Sequence, residues 1–270
     1  MSTLSGILAI LLYLLVAFLF GLRLQTRRPF PWGITRQTLI LGGLLGVALH
    51  GGALFGAIFT PAGTDLEVVN VASLAVWLAA LLLLLSALKT PIENLAIALL
   101  PLAALTLAVQ LFVPARPVLL TNASTGLEIH ILLSLLAFSL LSIAALQAIL
   151  LAIQDKHLRN RRPGGFIRAL PPLETMERLL FQIIGLGFVF LSLALFNGIL
   201  FVDDIFAQHL VHKTVLSIVA WIMFAILLWG RWRFGWRGRT AIRWTMGGLI
   251  ILLVGYFGSK LILELVLQRT

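Results

Sequence analysis

Five histidines are the side chains of this 270-residue sequence best suited to hold a metal or a cofactor, and four of them lie in or beside long apolar stretches. His50 falls near the middle of one stretch, His130 about one turn inside another, and His209 and His212 open a third. His157 stands among Lys156, Arg159 and Arg161 and reads as solvated. Imidazole is a good ligand for haem iron, zinc and copper. An ionisable side chain within a bilayer is costly and by default marks function. Each histidine also admits a plainer role. A ring in the first turn of a spanning helix can rest at the headgroup level with its polar tip in water. A mid-membrane ring can serve a hydrogen bond between helices.

The elements that must position these residues follow from composition. Apolar residues make up 60% of the chain and charged residues 11%, against roughly 25% charged in a soluble domain. Eight apolar stretches run near 4–22, 38–60, 68–88, 91–113, 127–153, 178–202, 208–230 and 241–266. Each approaches the ~20 residues that a helix needs to cross a bilayer core about 30 Å thick. The runs are continuous and Leu-rich, unlike the alternating ten-residue strands of a membrane barrel. The expected fold class is therefore all-α, a polytopic bundle of about eight transmembrane helices forming a single integral membrane domain over 1–270. The first span has no Lys or Arg before it and no small-residue cleavage site after it, so it is expected to stay as an anchor and not to act as a cleaved signal peptide.

Charge sets the orientation. Arg23, Arg27, Arg28 and Arg36 follow span one, and Lys89 follows span three. Lys156, Arg159, Arg161, Arg162, Arg168 and Arg178 surround the loop after span five, and Arg231, Arg233, Arg237, Arg239 and Arg243 the loop after span seven. The opposite loops hold Asp65, Glu67, Asp203 and Asp204, with only Arg116 among the basic residues. Under the positive-inside rule the arginine-rich loops face the cytoplasm and both termini lie outside. His130, His209 and His212 then belong to the outer face, with His50 below them. The net charge of +10 is thus written into topology and calls for no nucleic acid.

Other polar residues have two readings each. Lys213 follows His212, and it or Arg116 is placed to neutralise an anionic group; Lys260 lies one helical turn before Glu264 and reads as a snorkelling pair. Asn197-Gly198 either loosens span six or makes a hydrogen bond at a helix contact. Span two carries Gly42, Gly43, Gly46, Gly51, Gly52 and Gly56. These glycines serve close helix packing or leave room for a flat ligand beside His50. Trp221, Trp229, Trp232, Trp236 and Trp244 form an aromatic belt at the cytoplasmic interface. The Pro- and Gly-bearing loop of 155–177, with anionic lipid as its default partner, divides the chain into five spans and three. With no cysteine, disulfides, thiolate metal sites and covalent CxxCH haem attachment are excluded. No P-loop, HExxH, GxSxG or paired intramembrane carboxylate occurs, so the chain is expected not to be an enzyme.

From span five onward four stretches occur together: Leu127-Glu128-Ile129-His130; Leu173 to Arg178 followed by Ile184-Gly185-Leu186-Gly187-Phe188; His212-Lys213 to Trp221; and Gly235-Trp236-Arg237-Gly238-Arg239 ahead of Tyr256-Phe257-Gly258. In order and spacing this set, covering 125–260, resembles the core of the cytochrome c assembly proteins, membrane proteins that handle haem. Haem-delivering members carry a tryptophan-rich segment in the outer loop between the sixth and seventh spans. Here that stretch runs from Phe201 to Lys213 and has no tryptophan. It is similar instead to the branch of short inner-membrane relatives, including HemX-like proteins. The resemblance implies a multi-pass protein of the bacterial inner membrane, with haem held in the outer leaflet by His130 and His212, His50 as a further candidate, and Lys213 against a propionate. It also implies another membrane protein of cytochrome maturation or haem metabolism as partner. The second expectation is a non-catalytic membrane subunit that regulates or stabilises a haem-synthesis enzyme or a transporter.

Overall fold

The computed structural model describes residues 2–26, 34–61, 63–113, 119–120, 124–160, 170–201 and 211–258. Its helices are α1 (Ser2–Thr26), α2 (Arg36–Ile58), α3 (Val68–Ala87), α4 (Ala96–Phe112), α5 (Thr125–Arg159), α6 (Leu173–Phe201), α7 (Val211–Phe234) and α8 (Arg239–Leu253). Among the described residues seven helices are long and apolar enough to cross a membrane. The eighth continues as a π-helical segment, Val254–Gly258, and the remainder of the expected last span lies outside the described residues. The fold class read from hydropathy is confirmed as an all-α polytopic bundle. Burial says the same: Leu41, Leu45, Phe55, Leu105, Phe196 and Ile199 are exposed. Large apolar side chains in such numbers on a surface require an apolar surrounding.

Two differences from the sequence expectation concern helix ends. At 1.5 Å per residue the 35 residues of α5 reach about 52 Å, well beyond a ~30 Å hydrocarbon core. Its last turns are Asp155-Lys156-His157-Leu158-Arg159, which hydropathy assigns to a loop. Lys, Leu and Arg are good helix formers, so a helix need not stop where the membrane does. Likewise α6 starts at Leu173, directly after Pro171-Pro172, as proline is favoured at a helix start.

The chain divides into two compact units, 1–122 with 157–172 and 123–156 with 173–270. The helices therefore group as four and four, not as the five and three that the longest loop suggests. In the first unit α1 packs on α2 and α4, and α3 on α2 and α4. A small antiparallel sheet joins α2 to α3, with β1 (Phe59–Thr60), β2 (Gly63–Asp65) and β3 (Leu119–Leu120) in the order β1-β2-β3. Hydropathy offers no sign of it. At the opposite end of α2, Arg36 Nε donates to Glu93 Oε1 at 2.8 Å and Nη2 to Glu93 Oε2 at 3.1 Å. The same Nη2 also reaches the carbonyls of Ala87 and, at 3.0 Å, Thr90. Arg36, at the start of α2, thus ties Glu93, three residues before α4, to the carbonyls of Ala87 at the end of α3 and of Thr90 just beyond it.

In the second unit α5 and α6 run antiparallel. Leu141 packs against Gly187, and Gln147 Nε2 donates to the carbonyl of Met176 at 3.0 Å. The α7–α8 pair is brought together by glycines: Gly248 lies under the Phe224 ring and Gly255 under Leu216. The turn between them takes positive φ at Gly235 (65°) and Gly238 (54°). The Gly238 N–H, at the start of α8, donates to Glu177 Oε1 at 2.7 Å. A carboxylate there offsets the positive end of the helix dipole.

Candidate functional site

The histidines fall into the two units separately. In the first unit His50 is fully buried, and so is Tyr13 beside it. His50 Nδ1 lies 3.3 Å from the Tyr13 hydroxyl and Nε2 lies 3.0 Å from Ser73 Oγ. Both ring nitrogens are therefore engaged, from α1 on one side and α3 on the other. A Cβ placed on Gly46 would meet the Tyr13 ring at 3.0 Å, and one on Gly51 the Trp77 ring at 3.2 Å. Trp77 Nε1 in turn donates to the Val47 carbonyl at 2.8 Å. Of the two readings of the glycine-rich helix, close packing describes these positions; aromatic rings occupy the space beside His50.

In the second unit His130 sits one turn into α5, against α6. Its Nδ1 lies 3.0 Å from the carbonyl oxygen of Ala194. A carbonyl accepts only, so Nδ1 carries the proton and Nε2 carries the lone pair. This is the arrangement of a metal-ligating histidine, whose second nitrogen donates to a carbonyl that fixes tautomer and ring plane. The ring rests on Gly198, where an added Cβ would stand 2.9 Å from His130 Cε1 and 3.1 Å from Nδ1. The contact that α6 makes here is a close approach at Gly198 and not the hydrogen bond expected of Asn197-Gly198. On its other nitrogen, His130 Nε2 has a 3.5 Å contact with Ser134 Oγ, one turn along α5.

His212 opens α7, and its Nε2 is buried with no hydrogen-bond partner. Asn197 Oδ1, beside the Gly198 seat of His130, is buried and unpartnered too. Orphaned buried polar atoms are rare in native proteins and each calls for an explanation. The π-helical segment neighbours both the start of α7 and the α5 helix. A Cβ on Gly255 would meet Leu216 Cβ at 3.2 Å and the Lys213 carbonyl at 4.0 Å. Tyr256 hydrogen-bonds Ser134 and lies 5.4 Å, ring to ring, from Phe138. π-Helical turns concentrate at functional sites.

The residues are of a type that fits a haem: His130 carries an Nε2 lone pair on a ring fixed through Nδ1–H and seated on Gly198, and His212 has an orphaned Nε2. Among the described residues no group of three or more His, Asp and Glu could hold a bare metal ion. His209, Arg116, Lys260 and Glu264 lie outside the described residues. Sequence reasoning passed over Ser134, Ala194 and Tyr256. The one available signal was Ser134, four residues after His130 and hence on its helix face.

Residues 38–267 match the family described as cytochrome C assembly protein. That match reaches back to the start of α2, further than the 125–260 legible from motifs. The chain is 34% identical over 237 residues to the inner membrane protein YpjD of Escherichia coli strain K12, covering 86% of this chain and 88% of that one. It is 27% identical over 154 residues to the cytochrome c biogenesis protein CcsA of Chlamydomonas reinhardtii, 56% of this chain and 42% of that one. It is 22% identical over 157 residues to protein HemX of Brevibacillus brevis, 56% and 58% of the two chains. No solved structure matches. Proteins of this family are in general non-catalytic membrane proteins that handle haem. This chain is a multi-pass protein of the bacterial inner membrane and belongs to the cytochrome c assembly protein family.

Proposed function

We propose that this protein binds haem in the outer leaflet through the Nε2 atoms of His130 and His212, and that it takes part in haem handling for cytochrome maturation or haem metabolism. The observation that carries the reading is the tautomer of His130: the Ala194 carbonyl, 3.0 Å from Nδ1, leaves a ligating lone pair on Nε2. The orphaned Nε2 of His212 supports it. Bound haem would supply an iron that imidazole nitrogens can ligate and propionates that a cation can meet. The apolar faces of α5 to α8 would exclude water from the ring edge, and Lys213 would meet a propionate. The arginine-rich loops support an orientation with both termini outside, which puts both histidines on the side where cytochromes c are assembled. His50 would have to release both Tyr13 and Ser73 to ligate, so in this reading it holds the first unit together.

The test is the absorption spectrum of protein purified from cells supplied with haem. A Soret band is expected in the wild type and its loss in the His130→Ala/His212→Ala variant. No band in the wild type, or an unchanged band in the variant, overturns the proposal.

A further inference from the structure

Five arginines fall between positions 231 and 243, at the turn from α7 to α8, and the proposed function uses none of them. Two are engaged. Arg231 Nη1 donates to the Trp236 carbonyl at 3.2 Å, and its guanidinium lies 4.8 Å over the Phe181 ring. Arg239 Nε stands 3.7 Å from Asp155 Oδ2 and is itself exposed. Arg233, Arg237 and Arg243 are exposed and have no acidic partner among the described residues. Trp232, 82% exposed, stands among them, with Trp229 and Phe234 exposed beside it. An indole so open, close to charge, belongs at the headgroup level of a membrane.

The turn is fixed on every side. Gly235 N–H donates to the Arg231 carbonyl and Trp236 N–H to the Gly230 carbonyl, each at 3.2 Å. The Trp236 ring packs on Gly230, where a Cβ has no room, and lies 5.7 Å from the Trp244 ring of α8. Buried Glu177 of α6 accepts from the Gly238 N–H at 2.7 Å. The unpaired guanidiniums therefore project from an ordered backbone.

We propose that this turn is a binding site for the phosphate headgroup of an anionic phospholipid in the leaflet that meets it. Arg233, Arg237 and Arg243 supply forked donors that match phosphate oxygens, while Trp232 and Phe234 lie against the glycerol and the upper acyl chains. Charge complementarity and the exposed rings together select the occupant: the guanidiniums call for an anion, and the rings call for one attached to an apolar body. A mobile basic loop would attract such lipids only diffusely. A turn held at Gly230, Gly235 and Gly238 keeps one of them in a defined place. Glu177 then favours an anion's binding, against the sign of its own charge, because it orders the donors. The site stands independently of haem.

The test is a titration of delipidated protein in mild detergent with phosphatidylglycerol, phosphatidylcholine or inorganic phosphate, read by native mass spectrometry. Wild type should take up phosphatidylglycerol in preference to phosphatidylcholine, and inorganic phosphate should not displace it. The Arg233→Gln/Arg237→Gln/Arg243→Gln variant should lose roughly fivefold in affinity for each arginine removed; Arg237→Gln alone serves if the triple variant does not fold. A control that loses the same charge elsewhere, Arg23→Gln/Lys89→Gln/Lys156→Gln, should bind as wild type does. Glu177→Ala decides between a site and a field. It makes the protein more positive, so diffuse attraction predicts tighter binding, whereas loss of the Gly238 cap should weaken a fixed site about threefold. Tighter binding in Glu177→Ala, an equal loss in the control, or displacement by inorganic phosphate overturns the proposal. So does a wild type with no preference for phosphatidylglycerol, the outcome expected if the turn serves an acidic protein segment instead.

Discussion

The Nδ1 atom of His130 lies 3.0 Å from the carbonyl oxygen of Ala194, across the α5–α6 contact. That single acceptor decides which nitrogen of the ring is basic, and Gly198, one turn further along α6, decides where the ring can lie. The helix that supplies the ligand and the helix that orients it are separate elements, so changes in α6 alone should alter haem binding.

Gly198→Ala gives the first such change. Its Cβ would stand 2.9 Å from His130 Cε1, too close for any carbon pair, and overpacking of this kind costs about 1–3 kcal/mol. The expected outcome is a haem affinity about tenfold or more below wild type with the protein still folded by circular dichroism. An unchanged Soret titration would show that the ring does not rest there when haem is bound.

His50→Leu should act on stability and leave haem alone. The variant strands the Tyr13 hydroxyl and Ser73 hydroxyl, both buried, at about 1–3 kcal/mol for lost buried partners. Thermal unfolding in detergent should occur at lower temperature, with the Soret band per molecule of folded protein retained. Loss of the band in folded variant would return His50 to the ligand set.

Arg36→Ala should loosen the first unit at its α2 start. The guanidinium holds both oxygens of Glu93 and two carbonyls at the α3 end. Charge-assisted hydrogen bonds of this sort contribute about 1.5–3 kcal/mol, reduced here by partial exposure. Arg36→Lys should recover only part of the loss, because an ammonium cannot make the two-pronged contact. Proteolysis of the region around Lys89 reports the effect.

Glu177→Ala should fray the start of α8. It removes the acceptor 2.7 Å from the Gly238 N–H, a cap whose loss costs about 1 kcal/mol. Hydrogen exchange at 238–242 should rise, and Glu177→Gln, which keeps an acceptor oxygen, should show a smaller rise.

Orientation is open to direct labelling because the chain has no cysteine of its own. An impermeant maleimide should label Ser124→Cys in intact cells and Trp232→Cys only after permeabilisation. The reverse pattern would move His130 and His212 to the cytoplasmic side and overturn the outer-leaflet reading.

The sequence by itself determined the solvent and the number of helices. Hydropathy is a property of each segment against lipid, so eight helices, their approximate ends and the basic loops between them were readable one segment at a time. The motifs around His130, His212 and Trp236 also carried the family, since they are local strings. What only the tertiary structure decided is how segments far apart in sequence meet. Grouping as four and four, the enclosure of His50 by Tyr13 and Ser73, and the Arg36–Glu93 clamp all depend on pairs from different helices. Helix ends at Arg159 and Leu173 also escaped hydropathy, which reports where lipid stops and not where hydrogen bonding stops. Most of all, the composition of α5 says only that a histidine is present. Ala194, 64 residues away, makes its Nε2 the nitrogen that can ligate, because a backbone carbonyl can accept a proton's hydrogen bond and never donate one.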